Sequence, residues 1–224
     1  MSELIESPEP KWVIAENWLT RKPDPNALIA VLLSVLLVVL GSCFYWYNVI
    51  ESRELLAANG EKIFTQQELW RAWTSLLVHG DTKHLVGNLF LFSVLGYFLA
   101  GYFGYLLFPL LGFFFGGVTN LIVLHSMPPL IHLIGLSGVV FWMGGAWLAL
   151  YFLIETRKTP GQKILRTMGV ALGLFMPSEA FDPSVSYAAH GVGFSLGVCA
   201  GILFYFINRN RIRSAEVREL EIPI

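Results

Sequence analysis

From His84 to Ile154 the chain carries no Asp, Glu, Lys or Arg. A charge-free stretch of that length holds about three membrane spans at roughly 20 residues each. The whole chain is 14% charged, against about 25% for a soluble domain. So little charge cannot cover a water-soluble globule. The bulk of the chain therefore belongs in lipid, and the expected fold class is an all-α polytopic membrane protein.

Apolar runs lie at 27–50, 84–103, 105–124, 136–154, 164–177 and 187–207, which predicts six transmembrane helices. The fifth is short, and Lys163 and Arg166 are expected to snorkel at its end. Residues 1–26 read as a loose, proline-containing polar segment, 27–207 as one six-span domain, and 208–224 as a charged cytoplasmic tail. The run after the polar segment is too long for a cleavable signal and is expected to remain as an anchor. Cys43 and Cys199 both sit in apolar runs and read as packing residues. A net charge of −1 leaves no nucleic-acid footprint.

Basic residues set the expected orientation. Arg157, Lys158 and Lys163 fall between spans four and five, and Arg209, Arg211 and Arg213 follow span six. With six spans both groups share a side with Arg21 and Lys22, and the positive-inside rule makes that side cytoplasmic. The loop before span six carries Glu179 and Asp182 and suits the outside. In the first loop, Thr65-Gln66-Gln67-Glu68 reads as a capping box. It would open an amphipathic helix with Leu69, Trp73, Leu76 and Leu77 on one face. Such a helix would lie in the membrane interface, with Trp70 and Trp73 at headgroup level.

Polar residues inside spans are costly and mark function. The three aspartates, Asp24, Asp81 and Asp182, lie outside the spans, which excludes an intramembrane aspartyl dyad. No HExxH motif is present, which argues against a zinc protease. Serine, histidine and asparagine remain. His84 and Asn88 are four apart and share a helical face. Ser137 sits in Gly135-Leu-Ser137-Gly138. His190 is followed by Gly193, Gly197 and Gly201, a small-residue stripe for close helix packing. Spans two, four and six run in one direction, so all four polar residues fall near the outer face. That juxtaposition suggests acyl transfer. His190 would take the proton of Ser137. His84, Asn88 and the Ser137 N–H would stabilise the oxyanion. With no acid available, the unit would be a dyad, with no metal or other cofactor.

These motifs resemble those of the rhomboid intramembrane serine proteases, from about Glu68 onward. Glu68-Leu-Trp70-Arg71, then Thr74, His79, His84 and Asn88, is similar to the family's first-loop and second-span signature. Gly135-Leu-Ser137-Gly138 is similar to its nucleophile motif, and Ala189-His190 with Gly193 and Gly197 to its last span. The resemblance implies a six-span rhomboid fold with an interfacial first loop, Ser137 as nucleophile and His190 as base. It implies Trp70 and Arg71 as anchors of the first loop, and Phe181 as an aromatic on the capping loop. It implies an aromatic ring stacked on the base four residues after the nucleophile. The family usually has Tyr there, and this chain has Phe141. His125 and His132 have no counterpart and read as loop or packing residues.

The expected function is an intramembrane serine endopeptidase in a bacterial inner membrane, cutting single-span membrane proteins near the outer face. The alternative is a catalytically inactive rhomboid-like protein that binds membrane helices. Such proteins usually lack the serine or the histidine. A transporter or channel is disfavoured by the lack of charge within the spans.

Overall fold

A computed structural model describes residues 10–175 and 186–221, with side chains left undescribed at 170–175. Among the described residues, five helices are long and apolar enough to cross a membrane. They are α1 (Ala27–Tyr47), α4 (Thr82–Phe103), the segment Leu106–Ser126, α6 (Ser137–Ile154) and α8 (Tyr187–Arg213). The segment Leu106–Ser126 starts as a π-helical turn and continues as α5 (Gly112–Ser126). The remaining apolar run forms α7 (Pro160–Phe175), whose 16 residues rise about 24 Å. Over its described residues α7 is thus shorter than the roughly 30 Å hydrocarbon core. Lys163 on α7 reaches back to the Phe152 carbonyl at 3.0 Å.

α6 is the central helix. Gly138 through Ala146 are buried without interruption, so every face of its first half meets protein. α1 is peripheral. It buries Ala27, Val31, Ser34, Val38 and Ser42 at three- and four-residue spacing and turns Leu28, Leu32, Leu33 and Leu36 outward. That outward face is what a lipid-facing helix presents.

α6 and α8 meet through glycine. A methyl on Gly193 would lie 2.4 Å from the Gly138 carbonyl oxygen, and one on Gly197 would lie 2.0 Å from that of Trp142. Gly201 and Gly145 repeat the pattern against Ala146 and Phe194. Only glycine allows backbones this close, which is the expected use of a small-residue stripe. The three helices run in parallel. Phe141 of α6 packs on His190 of α8 near their starts. Further along, Phe103 of α4 packs on Phe204 of α8, and Phe98 of α4 on Trp147 of α6.

Three segments differ from expectation. The first loop is helical but broken. Short α2 (Ser52–Leu56) is followed by a π-helical turn Glu61–Thr65, then α3 (Arg71–Thr74) and a 3₁₀ turn Ser75–Leu77. Thr65 ends a turn rather than capping a long helix, and Gln67 takes a positive φ of 58°. Buried Arg71 holds this arrangement. Its Nη1 donates to the carbonyls of Leu55 and Ala57 at 2.6 and 3.3 Å, and also to that of Glu54. Its Nε pairs with Glu68, and its guanidinium lies 4.6 Å from the Trp70 ring centroid.

From Lys11 onward the segment before α1 is ordered rather than loose, and β2 in the tail pairs with it while staying exposed to solvent. β1 (Lys11–Glu16) pairs antiparallel with β2 (Val217–Glu221), with Lys11 opposite Glu221 and Ile14 opposite Arg218. Buried Asn17 donates to Ile154 O at 3.3 Å and to Glu155 Oε1 at 3.2 Å. Glu155 is also paired with Arg157 at 2.5 Å. Burial pushes the Glu155 carboxyl up, but the Arg157 hydrogen bonds and charge outweigh it and hold the group below the usual range. Hydrogen bonds between residues distant in sequence, absent from any local periodicity, hold β1 to β2 and Asn17 to the end of α6.

Candidate active site

Asp81 caps α4 by accepting from the His84 N–H at 2.8 Å. The cap starts the helix so that His84 lies in its first turn and Asn88 one turn further. The Asn88 Nδ2 is buried without a hydrogen-bond partner among the described residues. An unmet buried donor costs about 1–3 kcal/mol.

Ser137 is the first residue of α6. The N–H groups of a helix's first turn have no intrahelical acceptor and carry the positive end of its dipole. The segment leading to Ser137 is tied down at three points. Leu133 N–H donates to Ala58 O at 2.8 Å and Gly135 N–H to Ser75 O at 2.9 Å. Leu136 N–H donates to His79 Nε2 at 3.3 Å. Gly135 takes a φ of 116°, which requires glycine. A methyl added there would lie 3.7 Å from His84 Cε1, so the imidazole sits against Gly135, two residues before Ser137.

The His190 ring stacks on Phe141 with centroids 4.0 Å apart and planes 9° from parallel. Tyr187 meets it edge-on at 6.1 Å. Ser137 and Phe141 are four apart on α6, a spacing that puts side chains about 5–6 Å apart on one face. Ser137 and the ring that stacks on His190 thus share one face of α6. The His190 Nε2 is buried and has no hydrogen-bond partner among the described residues. Beside this cluster is a cavity of about 450 Å³, whose lining includes Asp81, His84, Asn120, His132, Ser137 and Ala189.

The arrangement can bring a carbonyl to the half-buried Ser137, offer helix N–H groups and amide or imidazole donors to its oxygen, and supply the His190 imidazole from α8. Among the described residues no group of three or more His, Cys, Asp or Glu is placed to hold a metal ion.

Residues 66–206 match the rhomboid domain family. The chain belongs to the rhomboid family. A relative of this rhomboid chain is an uncharacterized protein of Mycobacterium leprae (strain TN), 29% identical over 163 residues. That alignment covers 68% of this chain and 62% of the relative, so the chain spans less than two thirds of the relative's length.

Within the rhomboid domain the structure brings Ser137, His84, Gly135, Gly138, Phe141, His190 and Gly193 to one end of the bundle. Gly197 lies one turn below Gly193 on the same contact. Trp70 and Arg71 sit in the first loop, away from the cavity lining. Phe181 lies outside the described residues. His132 is exposed on the cavity wall, and His125 packs edge-on against Phe64 at 5.5 Å.

Three supporting residues have no role that the sequence motifs assign. His79 is fully buried. Its Nε2 accepts from Leu136 N–H, which leaves the proton on Nδ1 to meet Ser42 Oγ at 3.1 Å. Burial, reinforced by the neighbouring His84, pushes its pKa down to about 4. Asn120 donates to Ala72 O at 3.0 Å and to Ser75 Oγ at 3.1 Å, steadying the residue whose carbonyl holds Gly135. Ser42 on α1 completes the set. A polar residue at a buried small-residue position was the available signal for Ser42. Nothing local marks Asn120.

Proposed function

We propose that this rhomboid chain is an intramembrane serine endopeptidase acting through a Ser137–His190 dyad. The observation that carries the reading is the parallel stack of Phe141 on His190, on the α6 face that presents Ser137 to a cavity. Stacking fixes the imidazole plane without a carboxylate, and a dyad needs some such device to orient its base. His84, Asn88 and the Ser137 N–H serve as oxyanion donors. The unmet Asn88 Nδ2 supports this, because a buried donor held free is available to charge that develops during the reaction.

The orientation consistent with the basic loops has six spans and both termini in the cytoplasm, in a bacterial inner membrane. Ser137 then faces the outside. Its substrates are single-span proteins cut near the outer face, where Gly or Pro eases local unwinding of the substrate helix by up to about 1 or 3 kcal/mol. The deciding experiment is covalent labelling of the purified protein with a fluorophosphonate, followed by peptide mapping. Modification of Ser137, lost in His190→Ala, is expected. A folded protein that leaves Ser137 unmodified would refute the assignment. A C-terminal reporter found outside the cell would refute the orientation.

A further inference from the structure

A second cavity, of about 360 Å³, lies at the opposite end of the bundle from Ser137. Its lining includes Trp18, Arg21, Lys22, Asp24, Tyr105 and Arg211. Two guanidinium groups flank one indole: Arg21 lies 4.9 Å and Arg211 5.2 Å from the Trp18 ring centroid. The indole is itself fixed, because its Nε1 donates to Tyr102 O at 2.9 Å. Cations held against an aromatic face lose less freedom when a ligand arrives.

Capping of α4 does not account for these charges. The last carbonyls of that helix already have donors. Ala100 O takes Gly104 N–H at 2.8 Å, Gly101 O takes Asp24 N–H at 3.0 Å, and Tyr102 O takes Trp18 Nε1. Among the described residues no carboxylate forms an ion pair with Arg21, Lys22 or Arg211, and none of their side-chain nitrogens makes a hydrogen bond. Asp24 also lines the cavity, but one of its oxygens already accepts from Asn26 N–H at 2.9 Å. Three cations thus face one carboxylate at the membrane edge. Leu106 and Leu110, which follow Tyr105 in the chain, are more than half exposed and present apolar surface to a lipid.

We propose that this cavity binds a phosphate group, as the headgroup of an anionic phospholipid or as free phosphate, between Arg21, Lys22 and Arg211. Basic pockets between membrane helices suit such headgroups, and the guanidinium fork matches phosphate oxygens. The site is independent of the proposed protease activity.

The test uses the full-length protein in detergent, titrated with phosphatidylglycerol, phosphatidylcholine or inorganic phosphate and read by native mass spectrometry. Wild type is expected to retain phosphatidylglycerol in preference to phosphatidylcholine. Arg21→Gln combined with Arg211→Gln should weaken the phosphatidylglycerol adduct roughly 30-fold, about fivefold per cation, and leave phosphatidylcholine unchanged. Lys22→Gln alone should weaken it about fivefold, and decides the matter if the double variant does not fold. Phosphatidylglycerol retention that inorganic phosphate does not displace assigns the site to lipid. Displacement at matched affinity assigns it to free phosphate. Equal retention of the two lipids by wild type, or undiminished phosphatidylglycerol binding by the variants, would overturn the proposal.

Discussion

Gly193→Ala is the sharpest probe of how the site is held. The added methyl would lie 2.4 Å from the Gly138 carbonyl oxygen and 3.2 Å from its carbon. A comfortable carbon–oxygen contact is about 3.4 Å, near the distances at which dispersion is optimal. The overlap of about 1 Å falls on backbone, which cannot rotate away as a side chain can. α8 must therefore shift from α6 by that amount, one turn from His190 and one residue from Ser137. Overpacking of this kind costs about 1–3 kcal/mol. A misplacement of about 1 Å between reacting groups costs about 10²-fold in rate. Gly191→Ala is the matched control: nothing lies within 4 Å of its added methyl, and alanine is the better helix former by about 1 kcal/mol. The assay is the rate of fluorophosphonate labelling, with thermal unfolding measured on the same preparations. Gly193→Ala should label about 10²-fold more slowly and melt lower, and Gly191→Ala should label at the wild-type rate and melt no lower than wild type. If Gly193→Ala labels at the wild-type rate with an unchanged melting temperature, the glycine contact is not what sets the distance between serine and histidine.

Three further outcomes are expected. Ser137→Ala and His190→Ala should each abolish cleavage of a model substrate without unfolding the protein, and the double variant should be no slower than either; additive losses would dissolve the dyad. Asn88→Ala should slow turnover by roughly 10²–10³ if its amide meets the oxyanion, and an unchanged rate would return Asn88 to helix packing. His79 is held neutral in the fold at a pKa of about 4, whereas a solvated histidine titrates near 6.5. Between those values the opened loop binds more protons than the folded one. Loop stability should therefore be complete above about pH 6.5 and fall as pH drops towards 4, by up to about 3 kcal/mol. His79→Gln, which retains an acceptor for Leu136 N–H, should flatten that dependence in thermal melts from pH 7.5 to pH 4.5, and an unaltered slope would rule His79 out.

What the sequence determined by itself is what each segment settles locally. Whether a stretch enters lipid depends on its own transfer free energy, so the charge-free run from His84 to Ile154 was enough to make the chain a polytopic helical membrane protein. Helical spacing likewise put His84 and Asn88 on one face, and the glycine stripe of α8 marked a close-packed surface before its partner was known. The tertiary structure decided the rest, because the partners are distant in sequence. β1 reads as a loose polar stretch until β2, some 200 residues later, supplies its hydrogen bonds. Asn17 becomes a buried tie only because Glu155 and the end of α6 arrive beside it. The expected interfacial helix shortens to Arg71–Thr74 and a following 3₁₀ turn, and Arg71 ties it to the carbonyls of Leu55 and Ala57, contacts that a capping-box pattern does not reveal. His79 could be placed by resemblance, but its bonds to Leu136 and Ser42 come from three separate stretches of chain. Hydrophobic periodicity reports which side of a helix faces lipid. It carries no information about which buried donor meets which acceptor, and those pairings shape the segment in front of Ser137.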